Sequence, residues 1–536
     1  MPTLVCVPIM LDDSDRALAD AAEARSKGAD LVEYRIDGLV GDDEDAGDPL
    51  VRTNLGRLLD ETPLPTILTC RAAEEGGGFE GTDGARAELL EHLCARHRAP
   101  AYLDVEQAAF ARSPELRAAV ERCAGEQGAR LILSIHGPEG RPESLERRLL
   151  WAAGEPSCAA VKVAYLARSV RDNLELFDLL GRSPKPMIAL AMGRFGMMSR
   201  VLAPKFGGLV TFASLRQAST TAPGQPTIDE LLGMYRFRSI GRETGVYGVI
   251  GWPVEHSKGP LVHNAGFGAI GWDGVYLPLP VAADENDPEG SYLSFRETFA
   301  ALVEHPGVRL SGASVTIPHK ENFSRYCVEN GIQAVGTPGV GAANTFAYGG
   351  GEARYENTDA VAVGELLREN VGSLGGATVG VVGAGGVARA AAHACAGLGA
   401  TVVIYNRTLE RAQRLADEIG AATGGKVVAA SADLLPRACC GAFINCTPVG
   451  MAGGPDPEGL SIPIPEMVRI GEDTVFFDTV YTPPETPMLR AARERGCRTV
   501  DGAAMFVRQA AAQFELWTGA GVPEGLFEGL VEAGKG

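Results

Sequence analysis

Two lysines in this chain stand where a surface role explains them poorly. Lys162 lies inside the run Val161-Lys162-Val163-Ala164, with apolar residues on both sides. Burying an ammonium in such a strand is costly, and the same desolvation lowers its pKa toward the free amine that attacks carbonyl carbon. His136 ends the preceding apolar run, Ser134-Ile135-His136, and offers a proton carrier. Arg35, Arg71 and Arg200 offer cations for an anion. Singly, each reads as a surface charge or a structural histidine. Together they suit imine chemistry on a ketone that carries a carboxylate.

The second lysine, Lys320, follows Thr316-Ile317-Pro318-His319, one turn after a proline-marked bend. Asp359 ends Glu356-Asn357-Thr358-Asp359. A Lys and Asp pair can share a proton in ketone reduction, the lysine donating to oxygen as hydride reaches carbon. The same two could form a surface ion pair, and spacing does not decide between these. Between Thr378 and Ala388 a strand pattern runs into Gly383-Ala384-Gly385-Gly386-Val387-Ala388, which opens the helical stretch Arg389–Leu398. This is G-x-G-x-x-A in its proper strand and helix setting, which favours a dinucleotide over a ligand-free glycine turn. The next strand, Val402–Tyr405, ends Asn406-Arg407-Thr408, where a two-hydroxyl ribose would want an acid. Arg407, with Arg411 nearby, suits a 2′-phosphate, so the expected cofactor is NADP(H).

These residues need elements to hold them. Short apolar runs recur at Leu4–Ile9, Leu31–Arg35, Thr66–Thr69, Ala101–Asp104, Leu131–Ser134, Ala160–Val163, Met187–Ala191 and Leu209–Phe212. Amphipathic helical patterns such as Arg16–Lys27, Ala85–His97 and Pro114–Cys123 separate them. Strand and helix in this alternation predict an α/β chain beginning with a (β/α)8 barrel, the alternative being an open doubly wound sheet. In a barrel the C-terminal strand ends carry the chemistry, which gathers Glu33, Arg35, Arg71, Glu75, His136 and Lys162. A loop at Gln217–Pro226 and a helix through Leu231–Tyr235 precede a domain boundary near Arg242. A fresh strand at Val246–Ile250 opens the second half, and the glycine-rich stretch from Thr378 opens a further domain.

At 536 residues and 45% hydrophobic composition, the chain can bury two or three large cores. It holds 49 Lys and Arg against 68 Asp and Glu, a net charge of −19, which repels nucleic acid and makes small-molecule substrates the expected partners. A small carboxylate would then have to meet arginines concentrated locally. Glycine, proline and polar residues interrupt the longest uncharged runs, so no membrane span is expected, and the apolar run that begins at Leu4 points to a cytoplasmic chain. The 11 cysteines include no CxxC, and reduced, packed thiols and no bound metal are expected.

Glu33-Tyr34-Arg35-Ile36-Asp37, Thr69-Cys70-Arg71 with Glu75-Gly76-Gly77, Ser134-Ile135-His136, Lys162, Met192-Gly193 through Ser199-Arg200, and Ala222-Pro223-Gly224-Gln225 resemble type I dehydroquinate dehydratase over 1–240. The resemblance implies that Lys162 forms an imine with the C3 ketone of 3-dehydroquinate. His136 would then remove a C2 proton and protonate the departing C1 hydroxyl, with Glu75 orienting it. Arg200 would bind the carboxylate, and Glu33, Arg35, Arg71, Met192 and Gln225 would line the ring and the loop. Thr220-Thr221 lengthen that loop relative to the family, so its hydroxyl contact falls to Ser219 or Thr221.

Gly251-Trp252-Pro253, His256-Ser257-Lys258-Gly259-Pro260 with His263-Asn264, Thr316 to Lys320, Gly341 to Thr345, Asn357-Thr358-Asp359, Gly383 to Ala388, Asn406 to Thr408, Asn445 to Pro448, Tyr481, and Asp501-Gly502 through Gln509 resemble shikimate dehydrogenase. The resemblance implies a substrate domain at 245–360, a Rossmann domain at 361–510 and a helical segment, 511–536, that packs back on the substrate domain. It makes Lys320 and Asp359 the catalytic pair. Ser257, Thr316, Asn344, Tyr481 and Gln509 would hold substrate, and Gly383, Gly385, Gly386, Ala388, Asn406, Arg407, Thr408, Arg411 and Thr447 the cofactor. The two halves together resemble the fused dehydratase–dehydrogenase that makes shikimate. Gly259 departs from the family's second serine, which opens space beside C1 and keeps a quinate-using dehydrogenase as the alternative. A sensor retaining both folds without catalysis is a third reading, disfavoured by the four residues Lys162, His136, Lys320 and Asp359.

Overall fold

In the computed structural model, which describes residues 2–217, 224–284 and 286–533, the chain divides into two units. The first comprises Met1–Gly245 with Asp273–Pro280 and Glu304–Arg309; the second comprises Val246–Trp272, Val281–Val303 and Leu310–Gly536. No helix among the described residues is long and apolar enough to cross a membrane.

All eight predicted strands of the first unit form: β1 (Leu4–Met10), β2 (Leu31–Arg35), β3 (Thr66–Thr69), β4 (Tyr102–Glu106), β5 (Arg130–Gly137), β6 (Cys158–Leu166), β7 (Met187–Met192) and β8 (Val210–Phe212). They lie in the order β7-β6-β5-β4-β3-β2-β1-β8. A backbone bond from Leu209 N–H to Met187 O at 2.8 Å draws the two edges together into a nearly closed barrel. Successive side chains alternate faces, so residues two apart share the interior. Leu31, Ile67, Tyr102, Ile132, Ala160 and Ile188 make an apolar layer. Two residues further along their strands stand Glu33, Thr69, Asp104, Ser134 and Lys162, all buried. The same alternation that plugs the barrel therefore delivers a polar layer above the plug.

The helix expected through Leu231–Tyr235 is instead a π-helical turn, Glu230–Met234, closed by Tyr235 N–H to Glu230 O at 2.9 Å. Gly233 inside it weakens the tighter α pattern.

The second unit holds a substrate-type α/β layer and a six-stranded parallel sheet. In the former, Gly245–Gly251 pairs parallel with Leu310–Val315, which pairs antiparallel with Thr345–Gly349. In the latter the order is Val427–Ser431, Thr401–Asn406, Thr378–Val382, Ala442–Asn445, Val475–Asp478, Arg498–Val500. Numbered along the chain this is 3-2-1-4-5-6, the Rossmann order, with its switch point between Thr378–Val382 and Ala442–Asn445. The helices Thr358–Val371 and Gly502–Thr518 run unbroken through the divisions expected at 360 and 510.

Candidate active sites

In the barrel, Lys162 is 5% exposed and its Nζ donates to Asp104 Oδ2 at 2.7 Å and Glu33 Oε1 at 3.3 Å. The Phe212 ring centroid lies 4.8 Å from Nζ. Burial alone pushes the ammonium toward its free base, but the charges of Asp104 and Glu33 outweigh it, and Lys162 is held above the ordinary lysine range. This corrects the expectation of a lowered value. Asp104 is the hub: its Oδ1 accepts from Arg71 Nη2 at 2.7 Å and from Ser134 Oγ at 2.6 Å. Arg71 and Lys162 hold its carboxyl well below the usual range against burial.

His136 ends β5, and both its backbone N–H and its ring Nδ1 meet Glu75 Oε2, at 2.9 and 3.1 Å. With Nδ1–H donating to the carboxylate, Nε2 keeps its lone pair. Burial, with Arg71 and Lys162 nearby, pushes the imidazole well below its usual pKa, so the neutral ring prevails at pH 7. Burial also raises Glu75. Glu75 reaches His136 from the turn Ala73–Glu75. Behind that turn, a Cβ on Gly77 would sit 2.1 Å from Arg71 O, so only glycine lets the loop fold back this closely.

Arg200, on the short helix Met197–Val201 after β7, is buried; its Nη1 donates to Ala191 O at 2.5 Å and its Nε has no partner among the described residues. Burial pushes its pKa down to about 10. A buried arginine without a carboxylate partner suits an anionic substrate group. Arg35 is clamped by Asp37 through two bonds of 2.8 and 2.7 Å, so its guanidinium is already engaged. Met192 ends β7, half-buried. Gln225 is half-buried just after residues 218–223; Ser219 and Thr221 lie outside the described residues.

In the second unit, Lys320 begins the helix Lys320–Glu329 and its Nζ donates to Asp359 Oδ2 at 2.5 Å. Their side chains are 11% and 6% exposed, which removes the reading as a surface ion pair. Asp359 sits in the first turn of Thr358–Val371, capped by Asn357, whose Oδ1 accepts from Ala360 N–H at 3.0 Å. Asn344 is fixed against the same turn: Oδ1 accepts from Thr358 N–H at 2.8 Å and Nδ2 donates to Thr358 Oγ1 at 3.0 Å. Ser257 Oγ accepts from Gly259 N–H at 3.2 Å, where the helix Gly259–Ala269 begins. Thr316 is half-buried, with its N–H on Ile250 O at 2.8 Å. Tyr481 packs 5.3 Å from Phe506 and burial raises its hydroxyl pKa, while Gln509 Nε2 donates to Phe506 O at 3.1 Å.

The glycine loop joins this pair. Gly383 has φ +113°, a left-handed-side conformation that admits glycine. Gly385 caps the helix Gly386–Gly397, and a Cβ there would meet nothing within 4 Å. At Gly386 a Cβ would meet Lys320 Cβ at 3.2 Å, so the loop and the Lys/Asp pair are neighbours. Ala388 is buried in the helix behind. Asn445 Oδ1 holds Thr447 N–H at 3.0 Å and Oγ1 at 2.7 Å across the switch point. Arg407 and Thr408 are exposed just after Thr401–Asn406, where Asn406 Nδ2 donates to Thr408 O at 2.8 Å, and Arg411 is exposed in the first turn of the helix Leu409–Thr423 that follows. A helix N-terminus facing open space, with two exposed arginines at the ribose position that have no ion-pair partner among the described residues, fits a phosphorylated dinucleotide.

The sequence reading missed Asp104 and Glu106. Both end β4, and applying the strand-end rule to that strand would have found them. It also missed Gln513, one turn beyond Gln509. Gln513 accepts from Ser314 Oγ at 2.7 Å and donates to Thr345 Oγ1 at 3.0 Å, beside Asn344. An amide inside an apolar helix face was the available signal.

Family models match in the same order as the sites: type I 3-dehydroquinase over residues 5–242, shikimate dehydrogenase substrate binding domain over 249–346, shikimate / quinate 5-dehydrogenase over 365–433 and shikimate 5′-dehydrogenase C-terminal domain over 502–532. The bifunctional 3-dehydroquinate dehydratase/shikimate dehydrogenase, chloroplastic, of Arabidopsis thaliana is 35% identical over 98% of this chain and 84% of its own length. The chain belongs to the bifunctional dehydroquinate dehydratase/shikimate dehydrogenase family. Its dehydrogenase half is also 38% identical to the shikimate dehydrogenase (NADP(+)) of Gluconobacter oxydans, over 52% of this chain and 92% of that protein. A solved dehydroquinate dehydratase and shikimate dehydrogenase from S. pombe aligns with 99% of this chain and 98% of its own at 23% identity, with a TM-score of 0.39. The dehydratase half thus contains the Lys162 site, and the dehydrogenase half the Lys320 site and the glycine loop.

Proposed function

We propose that the chain converts 3-dehydroquinate to 3-dehydroshikimate in its barrel and reduces that product to shikimate with NADPH in its second unit. The observation that carries this reading is the pairing, in one chain, of a strand-borne lysine beside a neutral His136–Glu75 dyad with a buried Lys320–Asp359 pair against a dinucleotide loop.

In the dehydratase site, Lys162 Nζ attacks the C3 ketone, and water leaves as the imine forms. The resting ammonium must first release a proton, which the neutral imidazole can take and then return to the carbinolamine oxygen as it leaves as water, so that the ring is neutral again before the next step. Asp104 and Glu33 then hold the iminium that replaces it, so the site stays charge-matched throughout. The iminium accepts the electron pair left when His136 Nε2 removes the C2 proton. The same imidazole returns its proton to the departing C1 hydroxyl as water, and hydrolysis frees the lysine. Arg200, with its unpartnered Nε, binds the substrate carboxylate.

In the dehydrogenase site, Gly383 to Gly386, Thr447, Arg407 and Arg411 would hold NADP(H), which when bound would supply hydride to the carbonyl carbon. Lys320 donates a proton to the carbonyl oxygen, and Asp359 holds that lysine in place. Asn344, Ser257, Thr316, Tyr481 and Gln509 hold the ring.

Gly259 supports a second use of this site. It carries no hydroxyl at the start of its helix, so the site lacks one donor and discriminates less against quinate, which has an extra C1 hydroxyl. We infer activity on both substrates with shikimate preferred, Thr316 being the residue typical of shikimate enzymes.

The test of the dehydratase reading is borohydride reduction in the presence of 3-dehydroquinate, followed by peptide mass spectrometry. An adduct on Lys162 supports it; an adduct on another lysine, or none, overturns it.

A further inference from the structure

Arg86 lies on the helix Asp83–Arg96 and, at 1% exposed, is the largest fully buried side chain among the described residues. Its Nη1 donates to Glu106 Oε2 at 2.6 Å and to Cys70 O at 3.0 Å, and its Nη2 to Asp83 Oδ1 at 2.9 Å. The other oxygen of Glu106 accepts from Ala72 N–H at 2.9 Å and lies 3.3 Å from Arg71 Nη1. Three consecutive residues, Cys70, Arg71 and Ala72, are therefore gripped by one buried ion pair.

The pair has no evident purpose in stability. Replacing a buried ion pair with well-packed apolar residues is often neutral or stabilising, because desolvation offsets the attraction. Arg71 is met first by Asp104, at 2.7 Å, and Glu106 at 3.3 Å adds to its compensation without being its main anion. What Glu106 does alone is fix the N–H of Ala72, the residue that caps the turn Ala73–Glu75. That turn presents Glu75, and Glu75 holds both the backbone and the ring of His136.

We propose that Arg86 and Glu106 are a positioning pair for proton transfer: Glu106, locked by Arg86, sets the turn that aims Glu75 and, through it, the imidazole of His136. The inference rests on the dehydratase reading of Lys162 and His136. Lys162 has separate supports in Asp104 and Glu33, so the pair governs the rates of the proton transfers that pass through His136 and leaves the equilibrium extent of imine formation alone.

The experiment compares Glu106→Gln, Arg86→Met and Arg86→Lys with the parent in full-length protein, using 3-dehydroquinate. It reads kcat, KM, the pH dependence of kcat and the borohydride adduct on Lys162. A displacement of about 1 Å at a catalytic group costs on the order of a hundredfold in rate, so Glu106→Gln and Arg86→Met should lower kcat by roughly 10- to 100-fold. KM and the adduct should stay near parental. Arg86→Lys keeps the charge but not both bonds, and its kcat should fall between Arg86→Met and the parent.

His136 is faced by Glu75, Arg71, Lys162, Asp104 and Arg35. With Glu106 neutral, Arg71 is less compensated, so the imidazole protonates at lower pH and the acid limb of kcat moves down in Glu106→Gln. A purely structural role would not move that limb. Parental kcat and limb in Glu106→Gln overturn the proposal, as do parallel losses of adduct and turnover, or an Arg86→Lys rate no better than that of Arg86→Met. If Glu106→Gln does not yield folded protein, the two Arg86 variants decide by the same criteria. Absence of the Lys162 adduct in the parent is a different result, and it sinks the dehydratase reading itself.

Discussion

Asp104→Asn is the substitution that most directly probes how the barrel holds its lysine. Asp104 accepts from three donors at 2.6 to 2.7 Å, two of them the cations Arg71 and Lys162, with no side-chain exposure. An amide cannot serve all three, since its nitrogen would face donors. Removing one partner of a buried ion pair costs about 3–5 kcal/mol, and here two cations lose their shared anion, so the upper part of that range is expected. The pH dependence follows from the shifts. Asp104 is depressed in the folded state, so its contribution is present above the unfolded value of about 3.9 and fades as pH falls toward the folded one. Lys162 is raised, so its contribution is present below about 10.4 and fades as pH rises through its folded value. Parent and variant should differ most between about pH 5 and pH 9, and converge in acid. The assay is urea unfolding with amide hydrogen exchange read on peptides spanning Tyr102–Glu106, which isolates the barrel from the second unit. A loss below about 1 kcal/mol at pH 7, or a difference that does not shrink below about pH 4, would refute the hub role given to Asp104.

Arg407→Ala should weaken NADP by roughly 10- to 100-fold, the worth of a charged hydrogen-bonded contact of about 1.5–3 kcal/mol, while NAD is little affected; equal losses in both titrations contradict the 2′-phosphate assignment. Gly385→Val should leave the unfolding midpoint unchanged, because a Cβ there meets no protein atom within 4 Å, yet abolish NADPH binding measured by fluorescence titration. Binding at parental strength would show that the open space is not the cofactor's. Gly259→Ser should raise the shikimate-to-quinate ratio of kcat/KM about tenfold, if the restored bond contributes about 1.4 kcal/mol; a parent with no detectable quinate oxidation removes the basis for that expectation.

The barrel was legible because its strands are apolar runs at even spacing, and all eight formed where the pattern placed them. The polar layer was legible in part. Glu33, Arg71, His136 and Lys162 were found at strand ends, but Asp104 and Glu106 were passed over although the same alternation exposes them. The charge state of Lys162 was misread for a deeper reason. Its burial is visible in its immediate neighbours, whereas the anions that reverse the outcome come from Asp104 and Glu33, 58 and 129 residues away in sequence. Arg86 was invisible on the same grounds: on an amphipathic helix an arginine reads as solvent-facing until its partners Cys70, just after β3, and Glu106, on β4, are known. Lys320 and Asp359 were paired from residue type, with a surface ion pair left open, and only their contact and burial removed the surface reading.

The central claim is that one chain carries two separable activities in sequence, and single-residue variants assayed on both substrates test it most directly. Purified protein given 3-dehydroquinate and NADPH should yield shikimate, followed by chromatography and by NADPH consumption. Lys162→Ala should abolish that conversion while reducing supplied 3-dehydroshikimate at the parental rate. Lys320→Ala should instead accumulate 3-dehydroshikimate from 3-dehydroquinate, with reduction slowed by about 10²- to 10⁴-fold, the range for loss of a general acid. The account is contradicted if Lys162→Ala still dehydrates 3-dehydroquinate at the parental rate, or if Lys320→Ala still reduces 3-dehydroshikimate at the parental rate.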